Sequence, residues 1–398
     1  MTVGWPARWT GQLSPELRFV AGCCAGPQTA PPTESLDWPL ILRLTERHRV
    51  AGLVHRALRD LPPGIVPEVA ARTITRRAAH LARRNLAQLA EVVRLDRAFA
   101  AAGIRVAVLK GATLALLLHG DPTLRHAKDI DLLVPLDSAA GAAALLEAQG
   151  YRRVVPAPTV GPDRMARWQQ RAKNMSYRHP DSGLEIELHW RLFDHPWMIG
   201  RTPPPDAWVT VPVSSALALH TLAPDDLLTY LLGHGALHGW FRLKWLADLA
   251  TLLHGHSPDE IEAVLCHAEA QGLGRAAGQG LILSALFWPI ALPERLSRAA
   301  QAPTPVARLV GAALACLTDL EEPTRRPFGP TRINLLHYRL GTGWRNRWVI
   351  LRGQIDSAED WAALPLPRRL DWLYLVLRGP LWLARLLRRR DARSARSG

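Results

Sequence analysis

Apolar residues recur at helical spacing from Asp37 to Leu61, where Leu42, Val50, Leu53, Val54 and Leu58 share a side until "LPPG" stops the pattern. A second helix is predicted over about residues 75–101. It carries Leu81, Leu86, Leu89, Val93 and Phe99 on one side and a row of arginines on the other, with Gly103 as its stop. The period then changes. "IRVAVLK" (104–110) is a short β-branched run, "ATLALLLHG" (112–120) is helical, and "DIDLLVP" (129–135) alternates before becoming continuously apolar. That order reads strand, helix, strand.

A small-residue helix follows over 138–149, then a strand at "YRRVVP" (151–156), then two strands, "KNMSYRH" and "LEIELHW", joined by the turn "PDSG". Beyond the break "RTPPPDAW" (201–208) helices are predicted at 224–237, 240–254, 258–271, 274–287 and 304–319. The last segment, from Pro367, reads as an apolar and basic helix kinked at Gly379 and Pro380 with a polar tail. No repeat of solenoid period is present.

Composition narrows the class. A chain of 398 residues, 48% hydrophobic, buries a sizeable core in two or three domains. Its 49 Lys plus Arg against 35 Asp plus Glu give +14, a field that favours nucleotides, nucleic acid or acidic lipid headgroups. Only four of those cations are lysines, Lys110, Lys128, Lys173 and Lys244, and two of them flank the helix of the strand-helix-strand unit. Cys23, Cys24, Cys266 and Cys316 have neither zinc-ligand spacing nor disulfide density, which suits a reducing compartment. With no basic start before an apolar run and no membrane-length apolar window, the expected location is cytoplasmic.

The chemistry concentrates around two carboxylates. On a strand, residues i and i+2 share a face, so Asp129 and Asp131 point to one place while Ile130 and Leu132 turn to the core. Like charges that close call for a divalent cation, and oxygen ligands suit Mg²⁺, with Mn²⁺ as its substitute. A third carboxylate is expected from the later strand, Glu187 by preference and Glu185 in reserve. Upstream, Lys110 and Gly111 lie between strand and helix, where backbone amides and a helix N-terminus attract anions, and Thr113 adds a hydroxyl.

These parts resemble the nucleotidyltransferase superfamily, whose pattern is a glycine turn, Asp-x-Asp on the next strand and a later acidic residue. The closer similarity, carried by "LKG", "LRHAKDIDLLV", "EIELHWRL" and "HGALHGWFRLKWLADLATLL", is to an uncharacterised nucleotidyltransferase family of bacterial biosynthetic operons, and it extends over roughly residues 37–387. Ala112 stands where the wider superfamily has serine or a second glycine, and Gly111 precedes Asp129 by eighteen positions, both in keeping with the closer family. The resemblance implies an α+β fold with a small mixed, polymerase-beta-like sheet flanked by helical regions. The chain then divides into an N-terminal helical region (1–95), the nucleotidyltransferase core (96–200), a helical domain closing the cleft (201–340) and the C-terminal helix and tail (341–398).

The implied activity moves a nucleoside monophosphate from a nucleoside triphosphate to a hydroxyl or phosphate of an acceptor: a small molecule, sugar, peptide, protein or RNA. Asp129, Asp131 and Glu187 would hold metal, and Lys110, Gly111, Thr113, Arg125 and Lys128 would face the phosphates. Arg125 either meets the triphosphate, fixes its loop or stays at the surface. His189 follows Glu187 on the site side of its strand. His234 and His238, four apart without a metalloprotease glutamate, either pack or line the cleft, and Asp248 pairs with Arg242 or reaches that cleft. The rival readings are a degenerate nucleotide-binding scaffold and a partner of the membrane surface through the terminal helix.

Overall fold

In the computed structural model the chain is described over residues 4–25, 35–195, 198–199, 202–326, 329–355 and 358–384. The polar tail read from the sequence lies outside these residues. The sheet has five strands: β1 (Ala107–Val108), β2 (Ile130–Leu133), β3 (Arg152–Val155), β4 (Asn174–Arg178) and β5 (Glu185–His189). Their spatial order is β1-β2-β5-β4-β3, with β2 and β5 parallel and every other neighbouring pair antiparallel. This is the small mixed sheet, among helices, that the family resemblance implies.

Strand alternation sends the two faces of this sheet to different cores. Ile130, Leu132, Ile186 and Leu188 pack with Val92, Leu95 and Phe99 of the helix Glu68–Ala101 and with Ala142 and Leu146 of the helix Ala139–Ala148. Leu133, one residue out of phase, joins the core of the helical bundle. Asp131, Glu187 and His189 therefore leave the sheet on the bundle side. The bundle is built from helices Pro224–Leu237, Leu243–Leu252, Pro258–Ala270, Gly274–Phe287, Glu294–Gln301 and Pro305–Thr318. Trp9, Val20 and Ile41 of the N-terminal helices lie in that same core, and Arg47 donates to the carbonyls of Phe241, Cys316 and Asp319.

Three local readings change. The helical pattern 37–61 is two helices, Trp38–His48 and Ala51–Leu58, broken at Arg49, whose φ of 58° is left-handed. The helix Pro162–Arg171 and the hairpin β6 (Val209–Ser214) and β7 (Leu217–Thr221) occupy stretches where the sequence reading placed no element. In the helix Glu68–Ala101 the inward face is Ile74, Ala78, Leu81, Asn85, Gln88, Val92, Leu95 and Phe99. Leu86, expected inside, is exposed. A face picked by apolar residues alone passed over the two amides, which complete the three-and-four spacing.

At the C-terminal end, residues 373–384 are helical through Gly379 and Pro380. Trp361 and Tyr374 are buried against Val160, beside Met165 and Trp168 of the helix Pro162–Arg171, and Asp371 pairs with Arg164 and Arg167 of that helix. Among the described residues, no helix is long and apolar enough to cross a membrane.

Candidate active site

Parallel pairing of β2 with β5 sets Asp131 opposite Glu187 and Leu133 opposite His189. Opposed residues of adjacent strands share a face, so two carboxylates and an imidazole converge. His189 Nε2 lies 3.3 Å from Asp131 Oδ1 and 3.3 Å from Glu187 Oε2. Neither approach is aligned as a hydrogen bond, and both ring nitrogens are buried without one. One ligand atom from each of the three residues falls within 4.8 Å of the others, a spacing that can hold a metal ion. Asp129, immediately before β2, stands nearer the opening: its side chain is 26% exposed against 3% for Asp131.

The turn before this unit is a glycine turn for a conformational reason. Gly111 has φ 72° and ψ −134° as it starts the helix Ala112–His119, a region open to glycine and strained for other residues. Its neighbour Lys110 reaches back so that Nζ lies 3.1 Å from Asp131 Oδ1 and 5.8 Å from the centre of the Tyr230 ring. Thr113 is buried, and its hydroxyl has no hydrogen-bond partner among the described residues. The structure thus brings Lys110 to the carboxylates and leaves Thr113 inside the fold.

Charge at the site is unevenly distributed. Burial opposes ionisation of Asp131, but the Lys110 ammonium and the His189 ring outweigh it and hold the carboxyl well below its usual range. Glu187 is likewise held low, its burial overcome mainly by His189. Asp129 goes the other way, raised by burial and then by the negative charge of Asp131. Burial would lower Lys110, yet the charges of Asp131, Tyr230, Asp129 and Glu187 raise it. A carboxylate disfavoured by its neighbours, beside a buried oxygen with ion contacts but no aligned hydrogen bond, fits a cation-binding role. Lys128 Nζ is 2.9 Å from Glu185 and 4.0 Å from Asp129, so Glu185 sits at the rim with its own cation.

Arg125 is paired inside the fold. Its Nε and Nη2 donate to Asp248 Oδ1 and Oδ2, both at 2.8 Å, and the side chains are 3% and 2% exposed. Asp248 pairs with Arg125, while Arg242 pairs with Glu322 at 2.8 Å. The pair ties the loop before β2 to the helix Leu243–Leu252. From the opposite side Asn85 Nδ2 donates to the carbonyls of Pro122, Thr123 and Arg125, and Gln88 and Arg84 donate to that of Lys128. Lys244 donates to the His126 carbonyl at 3.1 Å. Residues 121–129, which deliver Asp129, are therefore clamped by side chains of two helices.

The bundle supplies the facing wall. Tyr230 and His234 stand one turn apart on the helix Pro224–Leu237, and His238 follows it, with its ring 5.2 Å from that of Trp245 and nearly parallel. Burial first, then the charges of Lys110 and Lys173, keep both histidines neutral, His238 down to about 3. Lys173, Asn174 and Tyr230 were absent from the sequence-based site. Asn174 Nδ2 donates to Glu187 Oε2 at 3.0 Å. Burial lowers Lys173, but Asp194, Tyr230 and Glu187 raise it. The scarcity of lysine was the one signal that could have found Lys173.

A glycine turn, paired carboxylates and a third carboxylate on β5 are in place, and the comparison with known families becomes specific. The family described as uncharacterised nucleotidyltransferase matches residues 34–289. The chain belongs to this family. The match takes in the helices Trp38–His48, Ala51–Leu58 and Glu68–Ala101, the whole sheet and the bundle through the helix Gly274–Phe287. No curated protein matches the chain.

Proposed function

We propose that the chain is a divalent-metal-dependent nucleotidyltransferase. It moves a nucleoside monophosphate from a nucleoside triphosphate to an acceptor hydroxyl or phosphate and releases pyrophosphate. The observation that carries this reading is the register of β2 and β5, which sets Asp131 against Glu187 beneath the more exposed Asp129. Asp129, Asp131 and Glu187 would hold Mg²⁺ or Mn²⁺, and His189 adds a nitrogen to the same cluster. Bound there, such an ion would neutralise triphosphate charge and polarise the α-phosphorus.

The remaining work falls to the protein. Lys110 beside Asp131 and Lys128 near Asp129 would oppose the negative charge of phosphate. Glu187, ionised through the neutral range, receives the acceptor's proton as the oxygen–phosphorus bond forms and the bond to the departing pyrophosphate breaks. Arg125 and Asp248 act by positioning the loop that carries Asp129. The test is calorimetric titration of each of the four nucleoside triphosphates, with Mg²⁺, into the wild type and an Asp129→Asn, Asp131→Asn variant. Metal-dependent binding confined to the wild type is expected. Equal binding by both proteins, or none by either, favours the degenerate scaffold over a transferase that uses these carboxylates.

A second reading, peripheral contact with an anionic membrane, has its own observation. Trp372, Leu375, Val376, Trp382 and Leu383 are all exposed and recur at helical spacing, while Tyr374 is buried and Leu381 partly so against the sheet domain. An outward stripe of tryptophan and leucine next to arginines suits a headgroup interface. Paired Trp372→Ser and Trp382→Ser changes should reduce cosedimentation with anionic vesicles. Unchanged cosedimentation would dismiss this reading.

A further inference from the structure

Behind the loop 121–129, between the helices Trp38–His48 and Glu68–Ala101 and the segment 320–322, lies a groove of about 1070 Å³. Its cationic lining includes Arg43, Arg49, Arg76, Arg77, Arg83 and Arg84. Its three carboxylates already have cations: Glu46 pairs with Arg77 at 2.7 Å, Glu321 with Arg326 at 3.1 Å and Glu322 with Arg242 at 2.8 Å. Arg43, Arg76 and Arg83 are exposed and make no ion pair among the described residues. Arg76, Arg83 and Arg84 lie on one helix at offsets of seven and eight, so like charges are stacked along one face. Such an arrangement is unfavourable without an anion beside it.

We propose that this groove binds a small molecule carrying two or more phosphate groups. Arginine forks match phosphate oxygens bidentately, and several forks along one wall suit a ligand that carries several such groups. The groove is concave and near the roughly 300–1,000 Å³ range of small-molecule sites. Its lining has no phenyl, phenol or indole ring on which a nucleobase could stack, so recognition rests on phosphate. The groove also touches the loop of the carboxylate site. His126 lines it, Arg84 donates to the Lys128 carbonyl and Lys244 to that of His126. A ligand there bears on the backbone that presents Asp129. The inference needs only the groove, and it stands whether or not the carboxylates perform nucleotidyl transfer.

The probe is inorganic tripolyphosphate, titrated by calorimetry into the full chain with EDTA present so that metal-dependent binding is silent. Three proteins are compared: wild type, Asp129→Asn with Asp131→Asn, and Arg43→Gln with Arg76→Gln and Arg83→Gln. The three arginines are exposed, and matching thermal midpoints verify that the last variant is folded. Expected is binding by the wild type and carboxylate variant alike, weakened about tenfold or more in the arginine variant, consistent with loss of charge-assisted contacts. Three results would overturn the proposal: no binding by the wild type, equal binding by the arginine variant, or binding lost only in the carboxylate variant. The last would assign the anion to the carboxylate site and leave the transferase reading intact. A single-stranded oligonucleotide without terminal phosphates is the control. If it binds the groove with length-dependent affinity while tripolyphosphate does not, the site belongs to nucleic acid and the proposal fails.

Discussion

Replacing Asp248 by Asn leaves the shape of the Arg125 site nearly unchanged and removes its counter-charge. Both nitrogens that donate to Asp248 do so at 2.8 Å, and the side chains are 3% and 2% exposed, so water cannot take over the lost bonds. Removing one member of a buried pair costs about 3–5 kcal/mol, because the survivor is left charged and unpaired. An exposed pair would cost roughly 0–1 kcal/mol. For a chain of 398 residues the expected loss is therefore roughly 4–6 °C in thermal midpoint. Arg125→Met should cost a similar amount, and the double change Arg125→Met, Asp248→Leu should cost less than the two singles summed, since no charge is stranded. Thermal and denaturant unfolding of the four proteins read these values. Below their midpoints, the single variants should also bind Mg²⁺–nucleotide more weakly than wild type, because the loop with Asp129 has lost one of its clamps. Single changes costing under about 1 kcal/mol, or strict additivity in the double, would refute the pair as a buried positioning device.

Two other expectations test separate parts of the argument. Burial, followed by the charges of Arg125 and Arg49, lowers Lys244 to about 7. From about pH 7 to 10 the unfolded chain holds a proton that the folded chain has released, so Lys244 adds stability as pH rises, by at most about 1.4 kcal/mol per unit. Lys244→Met should remove that increment, and an identical pH slope in the variant would contradict the assignment. A Cβ on Gly235 would lie 2.2 Å from the Trp240 ring, so Gly235→Ala should cost about 1–3 kcal/mol by overpacking. The added change Trp240→Leu should relieve part of that loss, and a Gly235→Ala protein that melts with the wild type would show that the indole moves aside freely.

What the residues alone determined is what short-range periodicity can encode. Alternation in 129–134 and 184–190 identified two strands and the face of each that carries acid, because neighbouring side chains on a strand point oppositely whatever surrounds them. The bundle helices at 224–237 and 274–287 were legible to the residue, since their apolar and glycine positions leave one period open. The glycine turn and the acidic pattern suggested the nucleotidyltransferase superfamily, and the longer motifs around them and in the bundle suggested the family. The pairing of charges was decided only by the tertiary structure. Arg125 and Asp248 are 123 positions apart, and Lys110 meets Asp131 only because β1 and β2 are adjacent and antiparallel. Asn85 and Gln88, which an apolar face passes over, hold the loop that folding places against them. A long polar side chain reaches whatever partner folding brings near, and that partner is set by packing between elements, not by spacing within one.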